Sequence, residues 1–330
     1  MPGGYHQLTR DQRCQLCALK NSGESVADIA RQLTVHRSTI YRELNRNGDD
    51  QGYDYQQAQE MAYERKRTIV SCKYKMSEEL IIFIESMLQQ QWSPEQIAGW
   101  LKKQLGSQIV SHETIYKYIW ANKRKGGKLY KELRHQGKKY NKRGSDKAGR
   151  GCIPGRVDIA ERPMIVEEKS RLGDWEIDTI IGKEHKGAIV TMVERHSKFT
   201  LLAKVPNKTA LEVKGALIRK LKDLTGCVHT LTADNGKEFA AHQEIAQELG
   251  ASVYFARPYH SWERGLNEHT NGLVRQYLPK CERLDVVVDE AVQMIENLLN
   301  NRPRKVLQFN TPIEVFNRRR TESAIVALHT

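Results

Sequence analysis

Residues 174–205 read DWEIDTIIGKEHKGAIVTMVERHSKFTLLAKV, and the pattern of the chain turns from helical to mixed as this stretch is approached, at about residue 168. Trp175 to Ile181 alternates around Asp178 and predicts a strand. Ala188 to Val193 predicts a second strand and Thr200 to Val205 a third, with Gly182 and Lys186-Gly187 punctuating the first connection.

Downstream, Thr209 to Leu224 carries Ala210, Val213, Leu217, Leu221 and Leu224, a helical stripe. Val228 to Thr232 reads as a strand ending at Asp234-Asn235-Gly236, Glu238 to Leu249 as a helix and Ser252 to Ala256 as a strand. A loop with Pro258 leads to a helix through Glu268, and Asp285 to Asn300 is a last long helix. Three strands, helix, strand, helix, strand, helix is the order of an RNase-H-like α/β domain, so a mixed five-stranded sheet with helices on its faces is expected.

Three carboxylates fall at informative places. Asp178 lies within the first strand near Ile177 and Ile180, Asp234 just past the end of a strand, and Glu268 on a helix after a loop. In a sheet of this order the first strand lies beside the fourth and the later helix projects over their ends, so acids remote in sequence converge. Phosphodiester transfer requires charge to be stabilised on the attacking and leaving oxygens at once. Two Mg²⁺ ions about 3.5–4 Å apart do this, with Mn²⁺ as a substitute, and carboxylates are the hard ligands that hold them. Asp178 is expected to bridge both ions, and Asp234 and Glu268 to hold one each. A lone Asp in a strand is usually an exposed or turn-proximal residue, and a lone Glu on a helix an ordinary surface charge; only the triad in its fold context is informative. Asp174 and Glu176 share the strand face of Asp178, which leaves Asp174 as an alternative ligand.

The first third of the chain contains a repeat. Ser25/Ser93, Ile29/Ile97, Ala30/Ala98 and Leu33/Leu101 match at one offset, and Thr39/Thr114, Ile40/Ile115 and Tyr41/Tyr116 match after seven extra residues. Each copy reads as helix, turn, helix, preceded by a further helix. Ser25 and Ser93 suit N-caps, Ser93 with Pro94 at the first helical position and Gln96 completing a capping box. Three short helices with this punctuation suit a helix-turn-helix DNA reader. Its recognition helix begins near His36 in the first copy and Ser111 in the second, which points Arg37, Ser38, Thr39 and Arg42, then His112, Glu113 and Lys117, at the major groove. Helix-turn-helix geometry also occurs in ordinary bundles, and the second copy, with Trp100 and Trp120 and fewer charges on its last helix, suits dimerisation as well.

From Lys117 to Arg150 there are 13 Lys or Arg and two acids, Glu132 and Asp146, so most of the net charge of +13 is here. With five glycines this stretch reads as a flexible basic joint, and Lys123, Arg124 and Lys125 are candidate phosphate contacts. Charge runs are often merely solvated, but this one stands between a DNA reader and a second domain. The 330 residues suffice for two or three domains, and 39% apolar content excludes a disordered chain. No apolar run approaches membrane-spanning length and the polar N-terminus lacks a signal-peptide pattern, so a cytoplasmic protein with no membrane partner is expected. The six scattered cysteines are expected to be reduced and structural, with one or both of Cys14 and Cys17 packing in the core of the first helix rather than holding zinc.

Trp175-x-x-Asp178, Glu194-Arg195-His196-Ser197, Asp234-Asn235-Gly236-x-Glu238-Phe239 and Pro258-Tyr259-x-Ser261-x-x-x-Gly265-x-x-Glu268 resemble the retroviral-integrase-like DDE recombinases. With 33 residues between Asp234 and Glu268, Trp262 to Glu268, and Asn301-Arg302-Pro303-Arg304-Lys305, nearly the whole chain resembles the insertion-sequence transposases of the IS-thirty family. The resemblance implies a bacterial, nucleoid-associated enzyme that recognises terminal inverted repeats in double-stranded DNA, acts as a homodimer or higher oligomer, and cleaves and transfers strands. It places Asp178 ahead of Asp174 by its distance from Trp175, and makes Arg275, two helical turns after Glu268, a DNA contact. His36 departs from the usual Ser cap, and Glu282-Arg283-Leu284 from the usual turn after Pro279. A non-catalytic DNA-binding regulator and a metal-dependent nuclease of the same fold are the alternatives. The expected segments are a first helix-turn-helix over 1–50, a helical connector over 51–72, a second helix-turn-helix-like module over 73–122, a basic linker over 123–165, the catalytic domain over 166–320 and a tail over 321–330.

Overall fold

A computed structural model describes residues 7–48, 52–73, 76–134, 153–224, 226–257 and 260–329. The chain divides into two compact units, Met1–Glu78 and Glu79–Thr330.

The first unit is helical: α1 (Arg10–Asn21), α2 (Val26–Gln32), α3 (Arg37–Asn47) and α4 (Tyr55–Lys73). Its helices start where side chains satisfy the first free amides. Thr9 and Gln12 form a reciprocal capping box on α1, Ser25 accepts from Asp28 N on α2, and the His36 Nδ1 accepts from Ser38 N on α3. The imidazole thus does the work of the missing serine. Leu16, Ile29, Leu33 and Ile40 close the core with Ala58 of α4, so the stretch expected to be a connector contributes a wall of the bundle. Under it Arg13 Nε meets Glu43 at 2.7 Å, and Asn47 and Tyr53 also donate to that carboxylate. Cys14 is exposed, while the Cys17 thiol donates to the Tyr53 carbonyl at 3.1 Å.

The second unit opens with α5 (Glu78–Gln89), α6 (Pro94–Leu105) and α7 (His112–Arg124), the same helical order around Ile84, Leu88, Ile97, Leu101, Ile115 and Ile119. Ser93 and Gln96 form the expected capping box, and Gly106 ends α6 in the left-handed conformation at φ +69°, which glycine adopts without steric cost. The sheet domain follows: β1 (Val157–Asp158), α8 (Met164–Glu168), β2 (Asp174–Ile181), β3 (Ala188–Glu194), β4 (Thr200–Val205), α9 (Ala210–Leu221), β5 (Thr230–Ala233), α10 (His242–Leu249), β6 (Ser252–Phe255), α11 (Gly265–Tyr277), α12 (Asp289–Asn300) and α13 (Pro312–His329).

The strand order is β1-β6-β5-β2-β3-β4. β2, β3 and β4 form an antiparallel meander; β5, β6 and β1 extend it in parallel from β2. The sheet therefore has six strands where five were expected, because β1 has only two residues and no alternation to read. Strand alternation sorts the side chains into two layers. Ile177, Val190, Met192, Leu231 and Phe255 pack with Val213 and Leu217 of α9, Ile245 of α10 and Phe316 of α13. Ile180, Ile189 and Leu202 pack on the other side with Leu273 and Val274 of α11 and Ile295 and Leu299 of α12.

Two expected boundaries change. The 123–165 linker is ordered at both ends: α7 runs to Arg124, a short 3-10 helix covers Leu129–Glu132, and residues 157–165 supply β1 and the start of α8; 135–152 lie outside the described residues. The 321–330 tail is largely helical, since α13 continues to His329. The α5–α7 module also joins the sheet domain directly. Gln96 Nε2 donates to the Pro303 carbonyl at 2.7 Å, Lys305 pairs with Glu95 at 2.6 Å, and the Phe309 ring lies so close over Gly99 that a Cβ there would overlap it.

Candidate active site

The parallel pairing of β2 with β5 sets Glu176 opposite Thr232. Continuing that register by two residues brings Asp178 level with Asp234, where the ladder has ended. The even-numbered residues of β2 face the α11 layer, so Asp174, Glu176 and Asp178 form a row, and their partners separate their roles. Asp174 is fully buried and takes two hydrogen bonds from Arg171, at 2.9 and 3.0 Å, and one from Thr230 at 2.8 Å. Glu176 is buried against Arg195 at 2.7 Å and accepts from Asn267 N at 3.2 Å. Burial pushes the Glu176 carboxyl up, and the Arg195 guanidinium opposes this. Both acids are thus absorbed by the fold, which removes the ground for Asp174 as a ligand.

Asp178 is half-buried at the open end of the row. Its carboxylate accepts from Thr179 N at 2.8 Å and from Asn271 Nδ2 at 3.0 Å, and the Asn271 amide is itself oriented by Thr191 Oγ1 at 3.0 Å. Asp234 accepts from Gly236 N at 2.8 Å. One guanidinium spans the pair: Arg264 lies 3.6 Å from Asp178 and 3.4 Å from Asp234. Burial pushes the Asp178 carboxyl up, the Arg264 cation pulls it down, and neighbouring Asp234 pushes it up again. Beside them, Glu238 is buried between Lys208, at 2.6 Å, and the Thr179 hydroxyl, at 3.0 Å.

Glu268 is exposed in the first turn of α11. Asn271, one turn further along α11, and Arg264, in the 3-10 turn just before the helix, are the residues of this segment that reach Asp178. Among the described residues no three acidic, histidine or cysteine side chains close into a metal-binding group. The two aspartates nevertheless share a single cation, and their oxygens are the donors that hard divalent ions prefer. The residues the structure brings together are therefore Asp178 and Asp234, and Glu268 does not close with them into a three-acid group. Sequence reading overlooked Arg264 and Asn271, although the spacing 264, 268, 271, 275 was available as a signal.

The expected DNA contacts are placed unevenly. In the first unit Arg37 and Arg42 are exposed on α3 with Tyr41 and Arg46, whereas Thr39 is half-buried and the Ser38 hydroxyl lies 2.8 Å from the His36 ring. On α7, His112, Glu113 and Lys117 are exposed. Lys123, also exposed, lies over the Trp120 and Tyr130 rings at 5.2 and 4.2 Å, and Arg124 and Lys125 are exposed beside it. Arg275 differs: it is half-buried and donates to the Ile181 and Leu278 carbonyls at 2.7 and 3.4 Å, so it ties α11 to the end of β2. Pro258 and Tyr259 lie outside the described residues. Among the described residues no helix is long and apolar enough to cross a membrane.

The integrase core domain family matches residues 169–261, and a helix-turn-helix domain family matches residues 4–47. The transposase for insertion sequence element IS4351 of Bacteroides fragilis is 49% identical over 94% of this chain and 95% of its own length. The transposase for insertion sequence element IS1086 of Cupriavidus metallidurans is 37% identical, covering 94% of each chain. Transposase InsI for insertion sequence element IS30A of Escherichia coli is 33% identical over 94% of this chain and 83% of its own.

Proposed function

The chain belongs to the IS-thirty family of insertion-sequence transposases, and from that premise we propose that it binds the terminal inverted repeats of an insertion sequence and cuts and joins DNA strands with two divalent ions held by Asp178, Asp234 and Glu268. The observation that carries this reading is the meeting of Asp178 and Asp234 around one cationic group, across strands 56 positions apart in sequence.

Divalent ions, when bound, supply positive charge to the attacking and leaving oxygens of the phosphodiester. The protein's part is positional. The β2–β5 ladder fixes the spacing of the aspartates, Asn271 holds the Asp178 carboxylate in one rotamer, and α11 offers Glu268 from the side. With divalent ions held by these carboxylates, the Arg264 guanidinium would be available to a phosphate instead. The exposed face of α3, with Arg37, Tyr41 and Arg42, serves as the DNA reader. Because two transposon ends are joined in one event, at least two copies act together.

The test is a labelled duplex carrying a candidate end, incubated with the full chain and Mg²⁺, with products sized. Asp178→Asn, Asp234→Asn and Glu268→Gln are expected to lose strand joining by at least a hundredfold, in line with removal of a metal ligand or its support (about 10–100-fold for outer partners alone), while retaining duplex binding. Joining that persists in any of the three overturns the assignment of that residue.

A further inference from the structure

Where α5–α7 meets the sheet domain there is a cavity of about 520 Å³. Arg302 and Arg304 line it together with Arg134 and Lys305, and Tyr116 and Trp120 form part of its wall. Its charge is unbalanced. Lys305 is taken up by Glu95 at 2.6 Å, and Glu132 accepts from the Gln91 side chain at 2.7 Å. Arg302, only 3% exposed, donates to the neutral Gln96 and Gln276 side chains at 2.8 and 3.0 Å. Arg304, 7% exposed, donates to the Leu299 carbonyl at 3.1 Å, and its Nε has no hydrogen-bond partner. Burial brings Arg304 down to about 9, with Arg302 and Arg134 repelling it further, and burial brings Arg302 down to about 10, where Tyr277 opposes the shift and Arg134 adds to it.

Buried cations are normally paired, because desolvation without a counter-charge is costly. Here two guanidiniums are buried side by side with neutral partners only, and a donor of one of them is unused. Guanidinium forks match phosphate oxygens. We propose that Arg134, Arg302 and Arg304 form an anion site that takes a backbone phosphate of bound DNA. Tyr116 and Trp120, each 36% exposed on the wall, favour a nucleic-acid source over a small free anion, since aromatic faces beside cations are what a nucleotide uses. The proposal rests on the DNA-acting function above and assigns the α5–α7 module a part in holding DNA against the catalytic domain.

The experiment uses the full chain and two variants, Arg304→Gln and Arg134→Gln; the second replaces an exposed side chain and guards against a folding defect in the first. The thermal midpoint is measured in inorganic phosphate and in chloride at equal ionic strength. Affinity for an end-bearing duplex is then measured between about 50 and 200 mM salt. Phosphate is expected to raise the wild-type midpoint and to do so less in either variant. The slope of log affinity against log salt is expected to become shallower by about 0.9, one phosphate contact, in each variant. A wild-type midpoint indifferent to phosphate, or slopes unchanged in both variants, overturns the proposal. Phosphate stabilisation with unchanged slopes means a free-anion site and overturns it equally. Wild-type protein that fails to bind the duplex sinks the proposed function instead, so the two failures are distinguishable.

Discussion

At the level of single residues, Arg264 holds the aspartate pair together in the absence of ions. Replacing it by Gln leaves two partly buried carboxylates facing each other, and the expected loss is about 1–3 kcal/mol of metal-free stability. Urea unfolding measures it, and added Ca²⁺ should restore more stability to the variant than to the wild type. Equal midpoints in the absence of ions would remove this role from Arg264. Lys198 gives a pH prediction. Burial lowers its ammonium to about 8, with Lys169 contributing. The folded state therefore gives up this proton sooner than the unfolded state, so its cost is full below pH 8 and fades as pH rises towards 10.5. The stability advantage of Lys198→Gln over wild type should shrink across that window; an advantage constant from pH 7.5 to about 10 contradicts it. The meeting of Asp178 and Asp234 could be read from the sequence because their motifs are distinctive. The sorting of Asp174, Glu176 and Asp178 could not, because alternation gives all three one face and only their partners, Arg171, Arg195 and Asn271, tell them apart.

Among the secondary-structure elements, those with a clear period were the ones read correctly. β3, β4 and α9 lie close to where alternation and helical stripes put them, whereas β1 is too short to carry a period, and α13 was missed, Asp285 to Asn300 being read as the last long helix. Packing between elements left no local trace at all. Gly99 is an ordinary residue within a helix until Phe309 arrives over it from 210 positions away. Gly99→Ala improves helix propensity by about 1 kcal/mol in isolation, yet the overlap with Phe309 should outweigh it and cost about 1–3 kcal/mol. A denaturant melt decides the sign, and Phe309→Leu in the same chain should recover part of the loss. Ser93→Ala, which removes a complete capping box, should cost about 1 kcal/mol.

For the whole molecule, the division after Glu78 lies close to the boundary expected at 72/73, and the α5–α7 module, expected to stand apart from the sheet domain across a linker from residue 123, belongs to the same compact unit. A chain of residues 79–330 should therefore fold cooperatively. A chain of residues 123–330 loses the helices that cover Phe309 and that bond Arg302 and Pro303, and should melt several degrees lower or aggregate. Circular dichroism melts of the two fragments check this; equal midpoints would mean that the α5–α7 module adds nothing to the sheet domain. The pairing of β2 with β5 has a last consequence, for insertions and deletions. Since neighbouring strands rather than the intervening polypeptide set the separation of Asp178 and Asp234, extra residues spliced into the turn at 206–208 should leave the two carboxylates where they are. Deleting one residue inside β5 turns Asp234 to the opposite side of the sheet, so tolerance to length change should be generous in the turns and nil in the ladder.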